Sequence, residues 1–399
     1  MCCAGIAWVA AGCSRLPDAT YSLRADVEKL ELPARHTAQI AEYLTAYHGT
    51  PVNPRMAVPA ADDPQVKHDK EGYDRLHLQH GRLVYTQQCA GCHGTTGDGQ
   101  GPAGRYLNPP PRDYRNGVFK FTSTPRGAKP TREDLRRILK YGAKGTSMPA
   151  FRFLSEEDTE AVIDYVQVLS ARGELEINLI REATDELGED EDFDPATVAE
   201  YVTDVAASWD RAGQETVMPL TVNPPVTPET VHDGAVAFAE LYCVKCHNRD
   251  AAGSRSADVG VDIWGRTAYP ANLAMGMLHG GRRPIDIYRR IYSGINGTPM
   301  PSSKDPNTTI NETPEQRSDR IWHLVHFVTK VIENNGVPPE EQAAIDEVLR
   351  KAAAPAEPAL KAAALAEPSA KGAAARPAID AGATAARSAG TGSLTPEGL

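Results

Sequence analysis

The chain has 399 residues and a formal net charge of −11 at pH 7, and this length allows two or three domains. The negative charge argues against a nucleic-acid-binding protein, which would present a basic surface. Seven cysteines are present. Because they either crowd the N-terminus or form two close pairs, they do not provide the evenly spread framework of a disulfide-rich fold.

The N-terminus indicates a targeting segment. An apolar run from Ala4 to Gly12 is too short to span a bilayer and ends in small residues directly before Cys13. This order resembles a bacterial lipoprotein cleavage site, with Cys13 as the lipidated residue. An ordinary secretory signal or a misplaced start codon is the alternative, because no Lys or Arg precedes Arg15. We therefore predict an extracytoplasmic protein that associates with the membrane through a lipid anchor only.

The segment 14–72 is an N-terminal extension in which we recognise no chemistry. It contains one helical stretch, predicted from Pro33 to His48, with apolar side chains at Ile40 and Leu44. Its role is left unassigned.

An internal repeat decides the architecture of the rest of the chain. Two blocks each contain a helix, a C-x-x-C-H motif, a loop, further helices, a Met-Pro step and a final helix. Cys243 follows Cys89 by 154 residues (243 − 89), and Met300 follows Met148 by 152 (300 − 148). Such closely matched offsets predict two copies of one fold.

The regions around the blocks differ in composition. Like charges in series favour an extended or solvated linker between the blocks. The Ala/Pro-rich C-terminus has too few large apolar side chains to offset its ordering entropy, so we expect disorder. Capping boxes, which mark helix starts, are expected at Thr131 with Asp134 and at Ser155 with Asp158. The predicted units are a signal or lipoprotein segment (1–13), the extension (14–72), the first block (73–172), an acidic and Pro-rich linker (173–227), the second block (228–336) and a low-complexity tail (337–399).

The two C-x-x-C-H motifs are typical of covalent haem attachment. Two cysteines within one helical turn reach the two vinyl groups of one porphyrin, and the next residue points an imidazole at the iron. A zinc site would need further Cys or His ligands, and neither block has another cysteine. A thiol redox pair would need a βαβ context, which is missing. The predicted attachment and ligand residues for two haem c groups are Cys89, Cys92, His93, Cys243, Cys246 and His247.

Met148 and Met300 are the predicted sixth ligands. Each precedes a proline on a Gly/Pro-rich loop before the last helix of its block, 55 residues after His93 (148 − 93) and 53 after His247 (300 − 247). A thioether ligand favours Fe(II) and raises the reduction potential. The alternative is a core methionine that fills a gap.

Other methionines and histidines are less well placed. Met218 lies in the predicted linker, and Met275 and Met277 are read as core methionines. His323 and His326 lie three apart on the last helix, where we expect one to pack and the other to face solvent. A further pair, expected at the surface, is His77 and His80.

Each block resembles a class I cytochrome c domain, and the first block is the closer match. Its segments 92–102, 107–111 and 145–149 resemble the usual motifs of that family. In the family, a proline carbonyl accepts a hydrogen bond from the axial histidine, a role that the resemblance gives to Pro109 or Pro110. The resemblance implies an all-α fold with two tandem class I cytochrome c domains, an N-terminal extension and a disordered Ala/Pro-rich tail.

The second block departs from the family pattern in two segments. Residues 255–270 replace the Gly/Pro-rich loop, which leaves the hydrogen-bond partner of His247 unassigned, and an extra polar stretch occupies 302–319. The small/aromatic contact that the family makes between its first and last helices has candidates in both blocks, Gly81 with Tyr85 and Gly234 with Phe238.

Three functions fit these observations: a diheme electron carrier, most simply in a respiratory chain, a diheme cytochrome c peroxidase, and a haem-based sensor. A peroxidase needs one iron that can free its distal position, whereas both blocks offer a Met-Pro step in the same place. We therefore favour a carrier over an enzyme. Since no flavin, quinone or nucleotide motif is found, the expected partners are redox proteins, namely a respiratory oxidase, a dehydrogenase or a small cytochrome.

Overall fold

The described residues of the computed structural model are 21–24, 30–57, 75–253, 255, 259–303 and 312–353. Within these ranges the regular elements are helices, and extended pairing is limited to isolated bridges. The predicted all-α fold class is confirmed. The predicted signal or lipoprotein segment with Cys13 lies outside the described residues, as does the chain beyond residue 353.

The α-helices, in chain order, include very short ones at the two C-x-x-C-H motifs. None of the described helices combines the length and hydropathy of a bilayer-spanning segment. The helices are α1 (Ala34–His48), α2 (Arg75–Gln88), α3 (Ala90–His93), α4 (Arg132–Tyr141), α5 (Glu156–Asp185), α6 (Pro195–Ala212), α7 (Pro228–Glu240), α8 (Val244–His247), α9 (Pro284–Ser293), α10 (Pro314–Asn334) and α11 (Pro339–Ala353).

Two capping boxes start the helices that frame the Met148 loop. The side chains of Thr131 and Ser155 accept hydrogen bonds from the backbone N–H groups of Asp134 and Asp158. The two aspartate side chains accept in return from the cap residues, so otherwise unsatisfied N–H groups at both helix starts are paired. Both predicted helix starts are confirmed.

In the first block, α2 packs directly on α5. A Cβ at Gly81 would lie 2.0 Å from the carbonyl oxygen of Ala161, so only glycine permits this approach. One turn later, the buried ring of Tyr85 lies 5.3 Å from the ring of Tyr165, centroid to centroid. The expected small/aromatic contact is therefore present, and it fixes the helix that leads into the first C-x-x-C-H motif.

The second block repeats this packing between α7 and α10. A Cβ at Gly234 would lie 2.1 Å from the carbonyl oxygen of His323. The ring of Phe238 packs on that of Phe327 at 5.2 Å. Each C-x-x-C-H motif thus follows a helix whose position is set by the same glycine-mediated crossing.

The described part of the N-terminal extension and much of the predicted linker form one helical cluster. Helix α1 lies where the sequence predicted a helix, and α5 runs for 30 residues to Asp185. This corrects the expectation of an extended or solvated chain over 173–227, because the acidic run is concentrated in the turn between α5 and α6 while both helices bury apolar faces. The shared buried residues are Ile40, Leu44, Leu175, Leu179, Val198 and Val202.

Helix α11 follows the second block and packs on α7. Its Ile345 is fully buried, and the carboxylate of Glu341 lies 3.2 Å from Nδ1 of His232. The described part of the segment 337–399 is therefore mainly helical rather than a low-complexity tail. Its few apolar residues lie on one face of α11 and pack against α7.

Candidate haem sites

The first C-x-x-C-H motif occupies a single turn of helix. Cys89 stands at the N-cap of α3, and its carbonyl accepts the backbone N–H of His93 at 2.9 Å. Gly94, with φ +77°, ends the turn. This geometry places the half-buried thiols of Cys89 and Cys92 and the imidazole of His93 together on one short segment. The sequence thus positions two attachment groups and one ligand with little backbone freedom.

The His93 imidazole is held by a backbone carbonyl. Its Nδ1 lies 3.1 Å from the carbonyl oxygen of Arg112, and since a carbonyl only accepts, Nδ1 carries the proton. Nε2 is then the unprotonated nitrogen, the form that binds a metal ion. Burial lowers the pKa of His93, which also favours the neutral ring at pH 7.

The carbonyl partner is Arg112 rather than a proline at 109–110, which corrects the expectation from the family resemblance. The backbone N–H of Tyr114 donates to the carbonyl of Gly97 at 2.7 Å, and its ring stacks on the His93 ring at 4.7 Å. These contacts anchor the chain just beyond the proline run. The carbonyl that reaches Nδ1 of His93 is therefore that of Arg112, two residues before the anchored Tyr114.

The second site repeats the arrangement. His247, on α8, has its Nδ1 3.1 Å from the carbonyl oxygen of Ala271, so Nδ1 again carries the proton. Burial lowers the pKa of His247 as well. Ala271 directly follows the segment 255–270, in which the second block departs from the family. The partner that the sequence left unassigned is thus supplied immediately after the divergent loop.

Internal hydrogen bonds close the Met148 loop. The Thr146 hydroxyl donates to the carbonyl of Ala143 at 2.7 Å and accepts from the backbone N–H of Met148 at 3.2 Å. The N–H of Ala143 donates to the carbonyl of Met148 at 3.3 Å. Met148 itself is half-buried.

The Met300 loop has the same internal bonds. The Thr298 hydroxyl donates to the carbonyl of Ile295 at 2.8 Å and accepts from the N–H of Met300 at 3.3 Å. The N–H of Ile295 donates to the carbonyl of Met300 at 3.4 Å. The two Met-Pro steps therefore adopt the same turn. The roles of Met148 and Met300 as sixth ligands stay predictions.

The donor set of both sites fits haem c. Each offers two free thiols on one helical turn and a histidine whose Nε2 is unprotonated. Burial raises the pKa of the Cys89 and Cys243 thiols to about 12, whereas redox-active dithiols have a lowered pKa. In the part of the chain that the structure describes, no group of three or more His, Cys, Asp or Glu side chains is arranged to hold a metal ion.

The competing methionines lie outside the core. Met275 is 70% exposed and Met277 is 51% exposed, because both lie on an irregular loop before α9. Their interpretation as core methionines is therefore wrong in this structure. Met218 is also exposed, between α6 and α7.

The competing histidines have partners other than a cofactor. His326 is buried, with its ring nitrogens 2.9 Å from Thr230 Oγ1 and 2.9 Å from Asn223 Oδ1. His323 is only partly buried, with Nδ1 3.4 Å from a carboxylate oxygen of Asp233. One histidine of this pair packs and the other faces the solvent side, as expected. The other two are partly exposed and pair with aspartates on α5, His77 with Asp164 and His80 with Asp158.

Part of the chain is similar to a known protein family. Residues 77–166 match the family described as cytochrome c oxidase, cbb3-type, subunit III. No curated protein matches the chain significantly. A solved chain of the reducing HAO-like protein complex of Kuenenia stuttgartiensis is 28% identical, with 64% of this chain and 96% of that chain covered at a TM-score of 0.46. By the family match, the segment 77–166 is similar to a c-type cytochrome domain, a class that binds haem c covalently and transfers electrons.

Proposed function

We propose that the protein is a diheme cytochrome c that transfers electrons between redox partners. One haem c is attached at each C-x-x-C-H motif, and Met148 and Met300 are the sixth ligands. The observation that carries the proposal is the repeated ligand geometry: both histidines donate to a backbone carbonyl at 3.1 Å, and both methionines sit in the same hydrogen-bonded turn. When bound, the haem iron supplies a one-electron redox centre.

The protein groups around each site have separate tasks. The cysteines fix the cofactor covalently, and the carbonyls of Arg112 and Ala271 hold the orientation of the histidine rings and raise their basicity. The methionine thioethers favour Fe(II) and so raise the reduction potential. Because each methionine turn is closed by its own hydrogen bonds, ligand movement between oxidation states is small, which suits electron transfer.

The proposed setting is extracytoplasmic. c-type cytochromes are typically extracytoplasmic, and the match of 77–166 to an oxidase subunit supports a respiratory chain. The proposed partners are an oxidase, a dehydrogenase or a small cytochrome, and a lipid on Cys13 would hold the protein at the membrane. The net charge of −11 would steer encounters with basic partners.

The haem count tests the proposal. The mass of the denatured protein should include two haems, and each double variant, Cys89→Ser with Cys92→Ser or Cys243→Ser with Cys246→Ser, should retain one. The remaining haem of each variant should still be reduced and reoxidised by a small redox protein. A double variant that keeps two covalent haems, or a second motif that never carries one, would contradict the diheme assignment.

A further inference from the structure

The loop that carries Met300 is bonded to the first block. The Arg126 guanidinium donates from Nη1 to the carbonyl of Met300 at 2.6 Å and from Nη2 to the carbonyl of Thr298 at 2.9 Å. Arg126 precedes α4, in the cytochrome domain that holds the other motif. Bonds from a charged, planar donor to two acceptors fix orientation as well as distance. A side chain of the first block, Arg126, thus holds the methionine turn of the second block at Met300 itself.

A buried asparagine provides another anchor for this loop. The Asn296 side chain, only 6% exposed, accepts the N–H of Gly127 at 2.9 Å and donates to the carbonyl of Phe119 at 3.1 Å. Because Asn296 is buried, these bonds do not compete freely with water. The start of the methionine turn is therefore pinned to the first block, next to Arg126.

The Met148 loop also contacts the second block. The Nδ1 of His279, from the second block, donates to the carbonyl of Lys144, four residues before the methionine. A Cβ at Gly145 would lie 3.0 Å from the His279 ring, so the two loops touch here. Within the described ranges, the second block makes no hydrogen bond to the backbone of Met148. The dependence between blocks is therefore strongest for Met300.

We infer that Arg126 is a positioning residue for Met300, so that ligation in the second block depends on the first. Its two hydrogen bonds hold the turn in the conformation that presents the thioether. Without them the loop keeps its internal bonds and the Asn296 anchor, but it opens more easily and yields the sixth position to an external ligand. This inference rests on the proposed function, since it takes Met300 to be the sixth ligand.

The test uses the full-length diheme protein with Arg126→Gln and Arg126→Lys. Imidazole binding to the oxidised protein and the weak near-infrared band of Met-to-Fe(III) ligation are measured. For Arg126→Gln we expect one haem to bind imidazole about tenfold more tightly, which corresponds to about 1.4 kcal/mol. Arg126→Lys should be intermediate, because an ammonium keeps the charge but not the two-pronged geometry. The control is Arg211→Ala, an exposed arginine on α6 with only a 4.0 Å ion pair.

Double variants identify which haem responds. Arg126→Gln should add nothing to Met300→Ala, whose second haem is already open, and should keep its full effect on a Met148→Ala background. Equal effects on both backgrounds would overturn the inference, as would wild-type imidazole affinity in Arg126→Gln. Wild-type behaviour of Arg126→Lys beside an altered Arg126→Gln would assign the effect to charge and also overturn it. If Met300→Ala alone changes neither haem, the ligand assignment in the proposed function fails instead.

Discussion

The guanidinium of Arg112 lies over the indole of Trp264, with 3.9 Å between Cζ and the ring centroid. The carbonyl of the same Arg112 accepts the hydrogen bond that orients His93. Trp264 in turn lies against the Met300 loop, because a Cβ at Gly297 would be 2.8 Å from the indole. One cation–π contact therefore connects the histidine side of the first site to the methionine side of the second.

The methionine ligands give the most direct prediction. Met148→Ala should open one haem and Met300→Ala the other, since each turn presents a single thioether. Each variant should lose the near-infrared Met-to-Fe(III) band at one haem only, measured in the oxidised protein. If a variant leaves both haems unaltered, another residue is the ligand at that site.

The helix crossings predict a large stability difference between glycine positions. Gly81→Ala and Gly234→Ala should each destabilise the fold by about 1–3 kcal/mol or more, because the new methyl group would overlap a backbone carbonyl. Gly213→Ala is the matched control, since its φ is −64° and a Cβ there meets nothing within 4 Å. Denaturant unfolding of the three variants measures this. Equal midpoints for all three would contradict the proposed tight crossings.

Glu160 predicts an acid-sensitive contribution to stability. Hydrogen bonds and charge from Arg136 and Arg132 lower the pKa of Glu160 to about 2, against about 4.3 in an unfolded chain. A lowered folded-state pKa stabilises the fold above the unfolded value, and this contribution is lost as the pH falls from about 4.3 to 2. The free-energy difference between wild type and Glu160→Gln should therefore shrink over that range. It should be modest, because the arginines are partly exposed and water screens the pair.

The matched control substitution is Glu133→Gln, whose carboxylate is 76% exposed and 3.6 Å from Arg136. A pH-independent difference for Glu160→Gln would show that the ion pairs of Glu160 with Arg132 and Arg136 do not stabilise the fold.

Local sequence patterns were enough to predict the repeat, the all-α fold and the capped starts of α4 and α5. These features depend on residues a few positions apart, such as Thr131 and Asp134. The carbonyl partner of His93 could not be placed, because it depends on where Tyr114 anchors the loop rather than on the proline run itself. The carbonyl of Arg112, two residues beyond Pro110, accepts the hydrogen bond from His93 instead.

No local sequence pattern predicts the contacts between the two blocks. Arg126 and Asn296 belong to segments about 170 residues apart that meet only in the folded protein. The helix α6 was missed for a related reason. Acidic residues at 186–194 dominate the local composition. The apolar face of α6 is recognised as a core face only once it packs against α1 and α5.

The N-terminus provides a prediction from sequence alone. If Cys13 is lipidated after export, Cys13→Ser should move the protein from the membrane fraction to the soluble extracytoplasmic fraction. Dual-chain lipidation is needed for stable anchoring, because one acyl chain binds only weakly. Mass analysis of the N-terminal peptide gives the direct measurement. An unmodified N-terminus on soluble wild-type protein would exclude the anchor.

The last prediction separates a carrier from a peroxidase. A carrier works best when both irons keep six ligands in both oxidation states, and the matching turns around Met148 and Met300 provide for this. A peroxidase needs one position that is vacant in the state that meets peroxide. We expect both haems to be low-spin when oxidised and when reduced, with slow carbon monoxide binding and negligible peroxide turnover. Exchange with a basic redox protein should slow as salt rises, because the chain carries a net charge of −11. Spectra of the half-reduced protein with added peroxide decide the matter, since rapid peroxide consumption together with one high-spin haem would establish the enzyme instead.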